Sequence, residues 1–80
     1  MSDGQLPREC TDRAIRVVLQ ASRQGLDVSQ RALAEKLGWS RNMVTNLETG
    51  RRAVLLTDFL LIAKALNIDP IALLHRVMRW

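Results

Sequence analysis

The chain has 80 residues, of which 48% are hydrophobic and 4% aromatic, and its formal net charge is +4 at pH 7. That length predicts one domain with a single modest core, and the longest apolar runs, residues 53–56 and 59–63, are too short to cross a membrane. The single cysteine excludes an internal disulfide, which agrees with a cytoplasmic location. The N-terminus has no basic segment followed by an apolar one, so we expect no signal peptide.

The first predicted element is a helix that follows a flexible N-terminal segment. Residues 1–10 show no hydrophobic periodicity, so we expect them to be flexible and to precede a domain of residues 11–80. Thr11 is the predicted N-cap of helix 1, and Gly25 is predicted to end it. The inward face of this helix and the connection after it should bury Ile15, Val18, Leu19, Ser22, Leu26 and Val28.

Residues 29–50 predict two short helices joined by a tight turn. Ser29 and Ser40 are suitable N-caps, while Gly38 and Gly50 supply the left-handed backbone that ends a helix. Apolar side chains at helical spacing predict the inward stripes, which are Leu33, Ala34 and Leu37 in the first helix and Met43, Val44 and Leu47 in the second. The opposite face of the second helix is polar and consists of Arg41, Asn42, Thr45, Asn46 and Thr49.

Two more helices are predicted after Gly50. Thr57 is the expected cap of helix 4, although the absence of a preceding proline also allows a start near Leu55. Asn67 should adopt the left-handed conformation after this helix, and Asp69 followed by Pro70 marks the start of helix 5, which is expected to run to about residue 78. The expected core faces are Phe59, Ile62, Ala63 and Leu66 in helix 4, and Leu73, Leu74 and Val77 in helix 5.

This order of helices resembles the lambda-repressor/Cro-like (Xre) helix-turn-helix proteins over residues 12–75. The resemblance is carried by Gln30, Leu33, Ala34, Leu37, Gly38, Val44, Leu47, Glu48 and Gly50, and then by Phe59, Ile62, Ala63, Leu66, Ile68, Leu73 and Leu74. It implies an all-α, compact five-helix DNA-binding domain. It also implies that Glu48 pairs with an arginine of helix 1, either Arg16 or Arg23.

The predicted DNA interface is the polar face of the helix at residues 40–49. In the helix-turn-helix docking mode the N-terminal part of this helix enters the major groove, where guanidinium, amide and hydroxyl groups read base edges. We assign base contacts to Arg41, Asn42, Thr45 and Asn46. We assign DNA backbone contacts to Gln30, Ser40, Thr49, Arg51 and Arg52. The alternative interpretation is that this face is only the solvated side of an amphipathic helix.

Apolar residues that lie off the core faces predict a homodimer. One module of this size reads only a few base pairs, so we expect two copies on a two-fold symmetric operator. The expected dimer interface lies on helices 4 and 5 and consists of Leu55, Leu60, Leu61, Met78 and Trp80. The alternative is that some of these residues complete a small core.

The function that these features favour is a sequence-specific, double-stranded DNA-binding transcription regulator of bacterial or phage origin, acting as a repressor. The alternatives are a restriction-modification controller, a DNA-binding antitoxin, and an interaction module that has lost DNA binding. Cys10 and His75 have no neighbours at metal-ligand spacing, and no catalytic motif occurs. We therefore expect no metal, no cofactor and no enzymatic activity.

Overall fold

Five α-helices follow one another along residues 8–80, the part of the chain that the computed structural model describes, apart from the side chain of Glu9. They are α1 (Arg8–Gly25), α2 (Gln30–Leu37), α3 (Arg41–Thr49), α4 (Leu56–Ala65) and α5 (Pro70–Arg79). These described residues contain no β-strand. The predicted all-α, five-helix fold is therefore confirmed.

The helices enclose one core. α1 packs on α3 and α5, α2 packs on α3 and α4, and α4 packs on α5. The predicted core face of α4 is confirmed, since all four of its residues are buried. The buried apolar residues are Ala14, Val18, Leu19, Leu33, Ala34, Val44, Leu47, Phe59, Ile62, Ala63, Leu66, Leu73 and Val77. Within the described part of the chain, no helix has both the length and the apolarity of a membrane span.

Three predicted N-caps are confirmed. The Ser29 hydroxyl oxygen accepts a hydrogen bond from the backbone N–H of Ala32 at 3.0 Å. Ser40 accepts in the same way from Met43 at 3.2 Å, and the Asp69 carboxylate accepts from the N–H of Ile71 at 3.2 Å. Each bond satisfies an N–H group that the first turn of a helix leaves without a backbone partner.

Three helices end in the same hydrogen-bonded turn, in which one residue has a positive φ. That residue is Asp27 after α1 (φ 58°), Gly38 after α2 (φ 70°) and Asn67 after α4 (φ 58°). The predictions for Gly38 and Asn67 are confirmed. α1 ends at Gly25, as predicted, although Gly25 is itself helical and the positive φ of the turn belongs to Asp27, two residues later.

The predicted start of α1 is wrong, and α4 begins at the earlier of its two predicted starts, near Leu55. α1 already includes Arg8, so the predicted start at Thr11 is too late, because residues 8–10 contain no glycine or proline to interrupt a helix. Residues 8–10 of the predicted flexible segment are thus helical, while residues 1–7 lie outside the described residues. In α4 the cap is Leu55 and not Thr57, because the buried Asp58 carboxylate accepts from the Leu55 N–H at 3.0 Å and satisfies the cap.

Two leucines that were expected in the core are exposed. Leu26 is 51% exposed, because it occupies the turn that ends α1. Leu74 is 46% exposed, since the stripe of α5 that faces the core is formed by Leu73 and Val77, which are four positions apart. Val28, by contrast, packs against the core as predicted.

Candidate nucleic-acid interface

The polar face of α3 points away from the core. Val44 and Leu47, on the opposite side of the helix, are each only 2% exposed and anchor α3 to the rest of the protein. Arg41, Asn42 and Thr49 are exposed, whereas Thr45 and Asn46 are half-buried. Ser40, directly before the helix, is also exposed. The five polar side chains of α3 therefore form one surface, and both of those in its first turn are exposed.

The two threonine hydroxyls of α3 already use their protons within the protein. Thr49 donates to the backbone carbonyl of Thr45 at 2.8 Å. The Thr45 Oγ1 atom lies 3.1 Å from both the Arg41 carbonyl and the Gln30 Oε1 atom, and it can donate to one of them at a time. Both threonines consequently offer oxygen lone pairs and methyl groups to a ligand, rather than O–H donors.

An ion pair buried between α1 and α3 holds α3 in place. The Arg23 Nε atom lies 2.7 Å from Glu48 Oε2, and Nη2 lies 3.0 Å from Oε1. Arg23 also donates to the Val28 carbonyl at 2.7 Å. Both charged side chains are only 8% exposed. Of the two partners that the resemblance implied for Glu48, the structure selects Arg23, not Arg16.

Gln30 connects this ion pair to the polar face. Its Nε2 atom donates to Glu48 Oε1 at 3.0 Å, and its Oε1 atom lies 3.1 Å from the hydroxyl of Thr45. Because a carboxylate can only accept, the amide nitrogen of Gln30 must face Glu48 and the oxygen must face Thr45. One side-chain N–H of Gln30 stays available to a ligand. The sequence predicted this residue as a phosphate contact but did not predict the network that orients it.

Arginines stand at both ends of the polar face. Arg31 and Arg41 line an open cleft beside Ser29 and Gln30, at the N-terminus of α2. Arg51 and Arg52 are exposed in the loop after α3, where the Arg52 N–H donates to the Asn46 carbonyl at 3.2 Å. Sequence reasoning missed Arg31, although a cation directly after Gln30 in the first turn of α2 was a usable signal.

The residues predicted at the dimer interface are exposed, at fractions that range from 41% for Leu61 to 75% for Met78. Three further exposed apolar residues on α4 and α5 were missed, namely Leu56, Ile71 and Leu74. Ile71, Leu74 and Met78 recur three and four positions apart on α5, which is the spacing of a second apolar stripe. The apolar surface is therefore larger than predicted.

Metal-ligating side chains do not cluster among residues 8–80, where no group of three or more His, Cys, Asp or Glu residues is placed to hold an ion. Cys10 is a free, exposed thiol on α1. Among the described residues, the candidate functional groups are therefore the polar face of α3, the arginines at its two ends, and the hydrogen-bonded Arg23, Glu48 and Gln30 side chains behind it.

Comparison with known proteins gives one family match and several similar folds. The helix-turn-helix family model HTH_3 matches residues 19–73. An XRE-family like protein from Pseudomonas syringae pv. tomato str. DC3000 has a TM-score of 0.84 and 24% identity, covering 90% of this chain and 88% of that chain. The clp gene regulator ClgR from C. glutamicum has a TM-score of 0.78 and 25% identity, covering 85% and 88%.

A third similar structure is the restriction-modification controller protein C.Esp1396I, with a TM-score of 0.79 and 18% identity over 88% of each chain. No curated protein matches the chain. The similarity to these solved structures extends over 85–90% of this chain and 88% of each of the others, and the range matched by the family model contains α2, α3 and α4.

Proposed function

The chain belongs to the lambda-repressor/Cro-like (Xre) family of helix-turn-helix proteins, and from this premise we propose that it regulates transcription by binding a specific double-stranded DNA sequence with α3 in the major groove. The helix-turn-helix fold is a non-enzymatic DNA-binding fold. The observation that carries the proposal is the outward polar face of α3, which has arginines at both ends and a buried ion pair behind it.

The base contacts are assigned to the first two turns of α3. Arg41 is exposed and can donate two parallel hydrogen bonds to O6 and N7 of guanine. Asn42 and Asn46 have amides that can pair with the N6 and N7 positions of adenine. Thr45 contributes its methyl group to a thymine methyl, since its hydroxyl proton is used within the protein.

Four of the five DNA backbone contacts are assigned to groups with a free donor. Gln30 has one unused side-chain N–H at the N-terminus of α2, where the helix dipole also favours a phosphate. Ser40 accepts from Met43, so its own O–H can donate. Arg51 and Arg52 are exposed cations. Thr49 is the fifth assignment, and its hydroxyl must leave the Thr45 carbonyl in order to donate to a phosphate.

The regulator acts as a homodimer in this proposal. Two recognition helices about 34 Å apart would enter successive major grooves on one side of a two-fold symmetric operator. The interface is formed by exposed apolar residues of α4, α5 and their caps, which are Leu55, Leu60, Leu61, Met78 and Trp80, together with Leu56, Ile71 and Leu74. Burial of this surface against a second copy removes it from water.

Repression, by covering a promoter, is the preferred mode of regulation. A restriction-modification controller is the second candidate, and the similar fold of C.Esp1396I favours it over an antitoxin. The genes next to this one separate the candidates, because a controller lies beside a restriction endonuclease gene and an antitoxin beside a toxin gene.

Selection of bound duplexes from a random pool tests the proposed function. We expect enrichment of one sequence with two-fold symmetry, and we expect the amide NMR signals of α3 to shift when that duplex is added. An enriched sequence without symmetry would contradict the dimer and leave DNA binding intact. If no duplex is enriched and no α3 signal shifts, the proposed function is wrong.

A further inference from the structure

Arg16 is a half-buried cation on α1 that has no partner among the described side chains of residues 8–80, which do not include that of Glu9. It makes no hydrogen bond and no ion pair within these residues, although it lies near Glu48 in the fold. The Glu48 carboxylate accepts its hydrogen bonds from Arg23 and Gln30, and none from Arg16. A half-buried guanidinium with unused donors loses hydration without regaining hydrogen bonds in the protein.

Gly50, at the C-terminal end of α3, leaves space for the Arg16 guanidinium. A Cβ atom at residue 50 would lie 2.9 Å from Arg16 Cζ and 3.1 Å from Nε and Nη1. Gly50 also has a φ of 82°, which a residue with a side chain rarely adopts. The same glycine that ends α3 therefore lets Arg16 pack directly against the backbone at this end.

Arg16 and Arg52 line one cleft, of about 130 Å³, between α1 and the loop after α3. Ile15, Ala53 and Val54 form its apolar walls, and Asp12 is the only acidic residue among those that line it. The volume is several times the 10–15 Å³ that one water molecule needs, so the cleft can admit a group of a few heavy atoms.

We propose that Arg16 and Arg52 bind one phosphodiester group of the DNA backbone in this cleft, so that α1 anchors the duplex beside the end of α3. This inference rests on the proposed function. The Arg52 N–H is bonded to the Asn46 carbonyl, which fixes the cleft relative to the polar face. The two guanidinium groups outweigh the carboxylate of Asp12, and guanidinium is well suited to bind phosphate.

The affinity for the selected duplex, measured over a range of salt concentrations, tests the inference. Arg16→Ala should weaken binding by about threefold to tenfold, as expected for one charge-assisted contact. It should also reduce the salt slope of log K, by at most about 0.9, the value for one phosphate. Arg79→Ala removes the same charge from the end of α5, which packs on α1 and α4, and should change neither quantity.

Two further variants test the cleft itself. Asp12→Asn should tighten binding, because it removes the one carboxylate beside the phosphate. The Arg16→Ala/Arg52→Ala double variant should lose less affinity than the product of the two single losses, since both residues bind the same phosphate. Fully multiplicative losses would overturn the shared site.

The structural alternative is that Arg16 only stabilises the C-terminal end of α3, where a cation is favourable. In that case Arg16→Ala lowers the thermal unfolding midpoint and binds DNA like Arg79→Ala, which overturns the inference. If the wild type binds the duplex and Arg41→Ala weakens it while Arg16→Ala does not, this inference alone has failed. If the wild type binds no duplex, the proposed function has failed first.

Discussion

Arg41 and Arg52 are both exposed cations beside α3, but they occupy different positions on it. Arg41 opens the helix and projects from its first turn, whereas Arg52 lies in the loop beyond its end. In helix-turn-helix docking the first position faces base edges and the second faces the sugar-phosphate backbone. The two residues should therefore affect specificity and affinity separately.

Arg41→Ala should lower the affinity for the selected duplex by about 1–3 kcal/mol and relax the preference at one base pair. Arg52→Ala should weaken binding to matched and scrambled duplexes about equally and reduce the salt dependence, because a phosphate contact carries no sequence information. Mobility shifts on both duplexes measure the difference. Equal losses for both variants on both duplexes would contradict the assignment of Arg41.

Glu48→Ala should reduce the free energy of unfolding by about 3 kcal/mol, because it leaves the buried Arg23 guanidinium without its counter-charge. Urea denaturation measures this loss. Glu35→Ala is the matched control, since Glu35 is exposed on α2, and it should change stability by less than about 0.5 kcal/mol. A loss as small as that of the control would show that the ion pair contributes little to the fold.

At the scale of a helix, the ends depend on which residue adopts a positive φ. Gly38 has a φ of 70° in the turn between α2 and α3, and nothing lies within 4 Å of the position where its Cβ would be. Gly25 also has open space around it, but it is helical and has no positive φ. The same substitution should therefore have opposite effects at the two sites.

Gly38→Ala should destabilise the protein by about 1–2 kcal/mol, the cost of a left-handed backbone for a residue with a Cβ. Gly25→Ala should stabilise it by up to about 1 kcal/mol, because alanine loses less backbone entropy in a helix. Chemical denaturation of both variants measures the two effects. Destabilisation by Gly25→Ala would indicate that the end of α1 needs glycine after all.

At the scale of the whole molecule, the exposed apolar surface of α4 and α5 is the proposed interface between two copies of the chain. Met78→Glu should shift the proposed dimer towards monomer, because it places a charge in an interface that would otherwise exclude water. Met78 is 75% exposed in the single chain, so the substitution should leave the fold intact. Sedimentation velocity at tens of micromolar measures the mass of both proteins.

Leu26→Glu is the control for assembly, since Leu26 is 51% exposed in the turn after α1, outside α4 and α5. This variant should sediment like the wild type. A wild-type protein that is monomeric without DNA would contradict the dimer proposal at that concentration. Monomer formation by Leu26→Glu would move the interface to another part of the surface.

Short-range signals in the sequence were sufficient to predict the five helices, most of the core and the surface on which we place DNA contacts. Ser29, Ser40 and Asp69 act as caps through atoms within three residues, so neighbouring residues decide their role. Apolar stripes are equally local, because helical geometry alone places residues three and four positions apart on one face. The polar face of α3 follows from the same periodicity.

Packing between helices settled what these local signals left open. Arg16 and Arg23 are both arginines of α1, and only the orientation of α1 against α3 brings Arg23 to Glu48 and leaves Arg16 beside Gly50. Leu73 and Leu74 are adjacent and equally apolar, yet only Leu73 faces the core. Such choices depend on the position and rotation of whole helices, which arise from contacts between residues far apart in the chain.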